Sequence, residues 1–319
     1  MTKATHVPRA PRTPYARDTS ASKRLKNKPP DDEMHLQRLQ DLHTAHQGKP
    51  FVFDDDHLRL LYLSPECMQS AMRLDAPERL ICGYSRVMMS FLLLNPAPRH
   101  IILIGLGGGS LVKYCYRYLP DCRITAIEIN ADVIALRDQF LIPADDERFC
   151  VIHADALPYL ASMQCDADVI LIDAFDQHGL VPALNTAAFY QDCYRNLRSG
   201  GILLSNVGGK PSMLAPMLSR LRQQFARQVC WIKSPDSYNL IVFAMKESPH
   251  ALETLKTSGM QKTEHPELSL VEFPSLIHHI DLTSDDDEIP ALLNDLRHLL
   301  VEDPKVPQTY AAWKTYVLA

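Results

Sequence analysis

No stretch of the chain approaches the roughly 18 continuous apolar residues of a membrane span, and the N-terminus has no apolar segment of a secretory signal. A cytoplasmic protein without membrane association is expected. Large net charge is also lacking: the 319 residues carry only -5, with 46% apolar and 22% charged, a balance that suits one large or two modest domains around a real core. Among the eight cysteines (67, 82, 115, 122, 150, 165, 193, 230) there is no Cys-x-x-Cys pair, and no histidine stands at ligand spacing from any of them. They are read as reduced thiols serving as small hydrophobes, and no metal is expected. The adjacent His278 and His279 would point to opposite faces of a strand, which does not suit chelation of one ion.

Large apolar residues are almost absent from the start of the chain. Lys3, Arg9, Arg12, Arg17, Lys23, Arg24, Lys26 and Lys28 face Asp18 alone, among five prolines. Burial cannot offset the ordering entropy of such a segment, so residues 1–33 are expected to be a disordered basic tail, a solvated extension and not a nucleic-acid-binding arm.

Regular alternation follows. Residues 34–98 suggest a polar helix from Met34 to His46, two strands (Phe51 to Phe53 and Leu58 to Leu63) about an Asp54-Asp55-Asp56 turn, and a helix from Arg79 to Leu94 stopped by Asn95-Pro96-Ala97-Pro98. From Ile101 the chain repeats strand, turn and helix: strands near 101–105, 123–129, 149–154, 168–173 and 202–206, and helices at 110–118, from Asn130 to about Phe140, 157–162, 186–197 and 213–225. Near-uniformly apolar strands in such units demand a parallel sheet covered on both faces. Val229 to Lys233 and Leu240 to Met245 are joined by six residues, too few for a crossover helix, so they must pair antiparallel. The expected fold is α/β, a Rossmann-like doubly wound sheet of methyltransferase type, with five parallel strands, a terminal antiparallel hairpin and a small N-terminal β element. Residues 99–247 form its main domain and 248–319 a C-terminal extension. In that extension a strand is expected within Pro266 to Ile280. Ser284 and the acids 285–288 read as the cap of a helix over 289–300.

The loop Gly105-Leu106-Gly107-Gly108-Gly109-Ser110 leaves a strand and opens a helix. Without side chains a backbone can approach a nucleotide closely while helix N–H groups face it. Glu128 ends the second strand, where a carboxylate can accept from both ribose hydroxyls. Asp155 ends the third, placed to accept from an adenine amino group while the backbone N–H of Ala156 meets a ring nitrogen. Asp173 ends the fourth, with Asp176 three residues on. These acids share the crevice where open α/β sheets bind ligands.

With these residues in place, the sequence resembles the spermidine synthase family, the polyamine aminopropyltransferases, over roughly Leu60 to Met245. The resemblance is carried by Ile-Gly-Leu-Gly-Gly-Gly-Ser, Ala-Ile-Glu-Ile-Asn, His-Ala-Asp-Ala, Ile-Asp-Ala-Phe-Asp, Ala-Phe-Tyr and Arg-Ser-Gly-Gly-Ile-Leu. It implies that Glu128 holds the donor ribose, that Asp155 holds adenine, that Asp173 is the catalytic acid-base residue and that Asp176 helps hold the amine. Gln69 resembles the family glutamine near the nucleoside, and Tyr84 the tyrosine of a Tyr-His-Glu segment. The implied reaction moves an aminopropyl group from decarboxylated S-adenosylmethionine to a polyamine or related amine, releasing methylthioadenosine. A homodimer is the expected assembly.

Three positions depart from the family pattern. Gly108 stands where the loop Gly-Gly-Gly-Asp-Gly has its Asp, Ser85-Arg86 follow Tyr84 in place of His-Glu, and Ser234-Pro235-Asp236-Ser237-Tyr238-Asn239 replaces a Tyr-Pro-x-Gly loop, with Tyr238 expected beside the substrate. Ordinary S-adenosylmethionine as donor for methyl or aminocarboxypropyl transfer therefore stays open, with Arg86 as partner for its carboxylate. So does a nucleoside-binding protein without catalysis.

Overall fold

The computed structural model of the chain describes residues 30–176, 179–208, 211–248 and 306–318, with short pieces at 250, 277–278 and 296. Residues 1–29 of the expected basic tail, the acidic run 284–288, His279 and all but one residue of the expected helix 289–300 lie outside the described residues, while residues 30–33, expected in the tail, open the first helix.

After the helix Pro30–Ala45, the strands β1 (Phe51–Asp54), β2 (Leu58–Ser64) and β3 (Cys67–Arg73) form an antiparallel meander in the order β1-β2-β3. Two of these strands match the sequence expectation; β3 was not foreseen. A short helix Gly83–Met88 continues as a 3-10 turn, Met89–Leu93, so the expected helix from Arg79 starts four residues later than its apolar spacing suggests.

The main sheet contains β4 (His100–Ile104), β5 (Arg123–Glu128), β6 (Phe149–His153), β7 (Ala167–Ile172), β10 (Leu197–Val207), β11 (Val229–Lys233), β12 (Leu240–Met245) and the two-residue edge β13 (Ile277–His278). Between β7 and β10 lies the small hairpin of β8 (Phe175–Asp176) and β9 (Gly179–Leu180). The main order is β13-β11-β12-β10-β7-β4-β5-β6. Pairing is parallel from β6 through β5, β4 and β7 to β10, then antiparallel at β12 and β11. The last long strand is thus inserted between β10 and β11, which explains why every residue of Leu240–Met245 is buried and apolar. Fully burying each large apolar side chain there contributes about 1.5–3 kcal/mol.

Helices cover both faces. Ser110–Tyr118 matches the sequence expectation at both ends, while the helix capped by Asn130 runs only over Ala131–Ile134 before relaxing into turns. Asn130 Oδ1 accepts from the N–H groups of Asp132 and Val133 at 2.9 and 3.4 Å, an ordinary cap. On the other face Ala187–Asn196 and Pro211–Gln224 join Ala156–Ser162 over β7 and β10. All eight cysteines are free thiols, five of them buried.

A last helix, Tyr310–Leu318, closes a third core. Trp313 and Val317 pack with Leu39, Phe51, Leu58, Leu60 and Tyr62 of the N-terminal element. Tyr310 stacks on His35 with ring centroids 3.9 Å apart, and its hydroxyl donates to Asp55 at 2.7 Å beside Lys314 at 2.6 Å.

Candidate active site

The carboxyl ends of β4, β5, β6 and β7 open onto a cavity of about 500 Å³, within the range of small-molecule sites. Its floor holds Ile104, Gly105, Gly107, Glu128, Asp155, Ala156 and Asp173, and the small sheet contributes Leu61, Leu63 and Gln69 as an opposing wall. Seven of the residues singled out in the sequence therefore line one space. Gly108 and Gly109 turn away from it toward Ser70, Phe140 and Ile142.

The glycines have different reasons to be there. Gly105 and Gly109 adopt φ of +92° and +66°, a region that L side chains rarely enter. A Cβ on Gly105 would also strike the backbone carbonyl of Asp173, so only glycine lets β4 and β7 end side by side. At Gly108 a Cβ would lie 2.8 Å from both Phe140 Cδ1 and Ser70 Oγ. The space that an acid would need at this position is filled.

Glu128 is nearly buried, with 8% exposure. Its Oε2 accepts from Leu106 N and its Oε1 from Asn130 N, both at 2.8 Å, so one carboxylate ties the glycine loop to the following turn. Each oxygen still has a free acceptor site, since an ionised carboxylate offers about four. Asp155 caps Ala156–Ser162 through Leu157 N at 2.9 Å and is otherwise exposed. Gln69 Nε2 points to Cys67 Sγ at 3.2 Å.

Strand β7 carries one acid near each end, and their surroundings push them apart. Burial raises the Asp168 carboxyl, but hydrogen bonds from Arg198 and from the N–H groups of His100 and Arg99 outweigh this and hold it below the usual carboxylate range. Among the described residues no cation faces Asp173. Burial pushes it up to about 6, opposed only by donors from Asn206 and Tyr84. Asn206 Nδ2 donates to Asp173 Oδ1 at 2.9 Å, and Asn239 Nδ2 donates to Asn206 Oδ1 at 3.1 Å. Tyr84, close to Asp173, is itself raised by burial and by that carboxylate. An acid poised near neutrality at the end of a cavity is suited to proton transfer.

Sequence reasoning missed Asn206 and Asn239. The one available signal was an amide near the carboxyl end of an otherwise apolar strand. Asp176 sits in the β8–β9 hairpin, where residues 177–178 and the side chains of 175–180 lie outside the described residues. Tyr238 turns its hydroxyl to Gln308, accepting from Nε2 at 2.9 Å, while Lys233 Nζ stands 5.7 Å from its ring centre. Arg86 donates to the carbonyls of Leu80 and Ile81 at 3.2 and 3.1 Å. Among the described residues no group of three acids, histidines or cysteines could hold a metal ion, and no helix is long and apolar enough to cross a membrane.

A parallel sheet with its final strand inserted antiparallel, and acids gathered at its carboxyl edge, defines an α/β protein of the methyltransferase-like class. Two solved structures share this fold. One, described as a "probable spermidine synthase" from Corynebacterium glutamicum, has a TM-score of 0.57 at 17% identity over 81% of this chain and 94% of that one. The other, a spermidine synthase in complex with the transition-state analogue AdoDATO, has a TM-score of 0.52 at 17% identity over 78% of this chain and 87% of that one. In sequence, residues 82–257 match the spermine/spermidine synthase domain. A polyamine aminopropyltransferase from Neisseria meningitidis serogroup A is 38% identical over 212 residues, 65% of this chain and 81% of the relative. The chain belongs to the spermine/spermidine synthase family.

Proposed function

We propose that the protein transfers an aminopropyl group from decarboxylated S-adenosylmethionine to a polyamine or related small amine, releasing methylthioadenosine. The observation that carries this is Asp173, raised to about 6 at the end of the cavity and held by Asn206 and Tyr84. The polyamine aminopropyltransferase named among the relatives supports it.

A primary amine titrates near pH 10 and must lose a proton before it attacks carbon, so a carboxylate within hydrogen-bond reach is required. The donor supplies an electrophilic carbon beside a sulfonium, whose thioether leaves without acid assistance. Asp173 takes the proton from the amine, and Asp176 and Tyr84 position it with Tyr238 at the outer loop. Glu128 keeps an open acceptor site on each oxygen for the ribose hydroxyls. Asp155 and the N–H of Ala156 take the adenine, with Gln69, Gly105 and Gly107 enclosing the nucleoside, while Gly108 and Gly109 face the protein interior and set the turn of the loop. Residues 99–247 act as the catalytic domain. A cytoplasmic homodimer, independent of metal and of nucleic acid, belongs to the same proposal.

Ordinary S-adenosylmethionine would need a cation for its carboxylate. Arg86, the candidate for that role, gives Nη1 to the carbonyls of Leu80 and Ile81 and is not among the residues that line the cavity, which favours the decarboxylated donor. The test is to incubate purified protein with decarboxylated S-adenosylmethionine and a panel of di- and polyamines and to measure methylthioadenosine. Release with at least one amine is expected; no release with any would overturn the proposal.

A further inference from the structure

The loop Ser234–Asn239, whose sequence departs from the family pattern, is built around a buried acid. Asp236 is 5% exposed, and both of its oxygens are committed. Oδ2 accepts from Gly83 N at 2.7 Å and Oδ1 from Ser234 Oγ at 2.8 Å. The loop closes on itself through Ser234 N to Asn239 O at 2.8 Å. Its seat on the helix Gly83–Met88 is tight: a Cβ on Gly83 would lie 2.5 Å from Pro235 Cγ and 2.6 Å from Asp236 Oδ1.

Both ends of this loop lead to Asp173. At one end Asp236 holds Gly83, whose next residue, Tyr84, lies near enough to Asp173 for each to shift the other's titration. At the other end Asn239 holds Asn206, which donates to Asp173. These are the two side-chain donors that oppose the effect of burial on that carboxyl.

We infer that Asp236 is a positioning residue for Asp173: through Gly83 and through the closed loop to Asn239 it fixes both donors that aim the reacting carboxyl into the cavity. The kinetic part of this rests on the proposed transfer reaction. Asp236 does not touch the reacting atoms, so its removal should act on the rate and on the titration of Asp173 and leave the distant nucleoside end intact.

The test compares Asp236→Ala, Asp236→Asn and Asn239→Ala in the full chain. In Asp236→Ala, kcat should fall about tenfold to a hundredfold, the range seen when a reacting group is displaced by about an ångström. The dissociation constant for methylthioadenosine by calorimetry should change less than twofold. The Asp173 carboxyl, followed by carbon NMR, should titrate higher than in the unchanged protein because its two donors no longer hold it. Asp236→Asn should rescue, since an amide oxygen can still accept from Gly83 N and a hydroxyl can turn to accept from the amide. Asn239→Ala should shift the Asp173 titration in the same direction from the other end of the loop, which keeps the idea testable if Asp236→Ala does not fold.

Unchanged kcat and unchanged Asp173 titration in both alanine variants would overturn the inference, as would an Asp236→Asn protein as impaired as Asp236→Ala. The NMR titration needs no turnover. A chain that releases no methylthioadenosine yet shows the titration shifts would sink the proposed reaction and leave the positioning role standing.

Discussion

Phe140 stands against Gly108 so closely that a Cβ there would come within 2.8 Å of its ring, and the ring is 1% exposed. Restoring the family's acid by Gly108→Asp should therefore overpack the loop. A loss of about 1–3 kcal/mol is expected from the lowered midpoint of a urea melt. A variant as stable as the unchanged protein would show that Ser70 and Phe140 yield easily.

Asp173 should trade stability for activity. Its folded value of about 6 exceeds the ordinary 3.8, so its favourable contribution is complete below about pH 4 and is lost as pH rises through 6. The neutral variant Asp173→Asn should therefore be more stable at pH 7, by up to about 3 kcal/mol, with the difference vanishing toward pH 4. Its kcat should fall by about 10²–10⁴. Paired melts and rate measurements across this range check both halves.

Lys113 gives the opposite slope. Burial lowers its amine to about 7, where Nζ donates to the Phe140 carbonyl at 2.8 Å. Between about pH 7 and 10 the unfolded chain holds a proton that the folded chain has released, so stability should rise with pH over that window. Lys113→Met should flatten the rise in a series of chemical melts. A slope that survives the substitution would assign it to another group.

Removing Trp313 should open the third core. Trp313→Ala is expected to cost about 3 kcal/mol. Because the same sheet places Leu61, Leu63 and Gln69 on the cavity wall, methylthioadenosine should bind more weakly as well. Calorimetry on a variant still folded by circular dichroism measures this second effect.

Much of the main domain was legible because its signals are local. Gly109 before Ser110 and Pro120 after Tyr118 mark both ends of one helix, and six residues between β11 and β12 leave no geometry but a hairpin. The acids Glu128, Asp155 and Asp173 could be placed on one edge because parallel strands end on the same side. Strand β3 escaped because Cys67-Met68-Gln69-Ser70-Ala71-Met72-Arg73 has neither alternation nor β-branched residues, and its register is set by β2. The helix beginning at Gly83 could not be bounded from sequence, since the acid that fixes its first N–H is Asp236, 153 residues away. Asn206 escaped for a related reason. A single amide among apolar neighbours becomes informative only when its partners Asp173 and Asn239 are known.

The helix Tyr310–Leu318 supplies Trp313 and Val317 to a core whose other members come from residues 39–82. On a ribosome, chains ordinarily fold from the N-terminus as they emerge. Here the first sheet to be synthesised keeps the part of its apolar face that Trp313 and Val317 cover open until residues 310–318 have been made and have returned to it. The parallel domain can assemble meanwhile, so the cavity wall of Leu61, Leu63 and Gln69 is braced from behind only after residues 310–318 have returned to it.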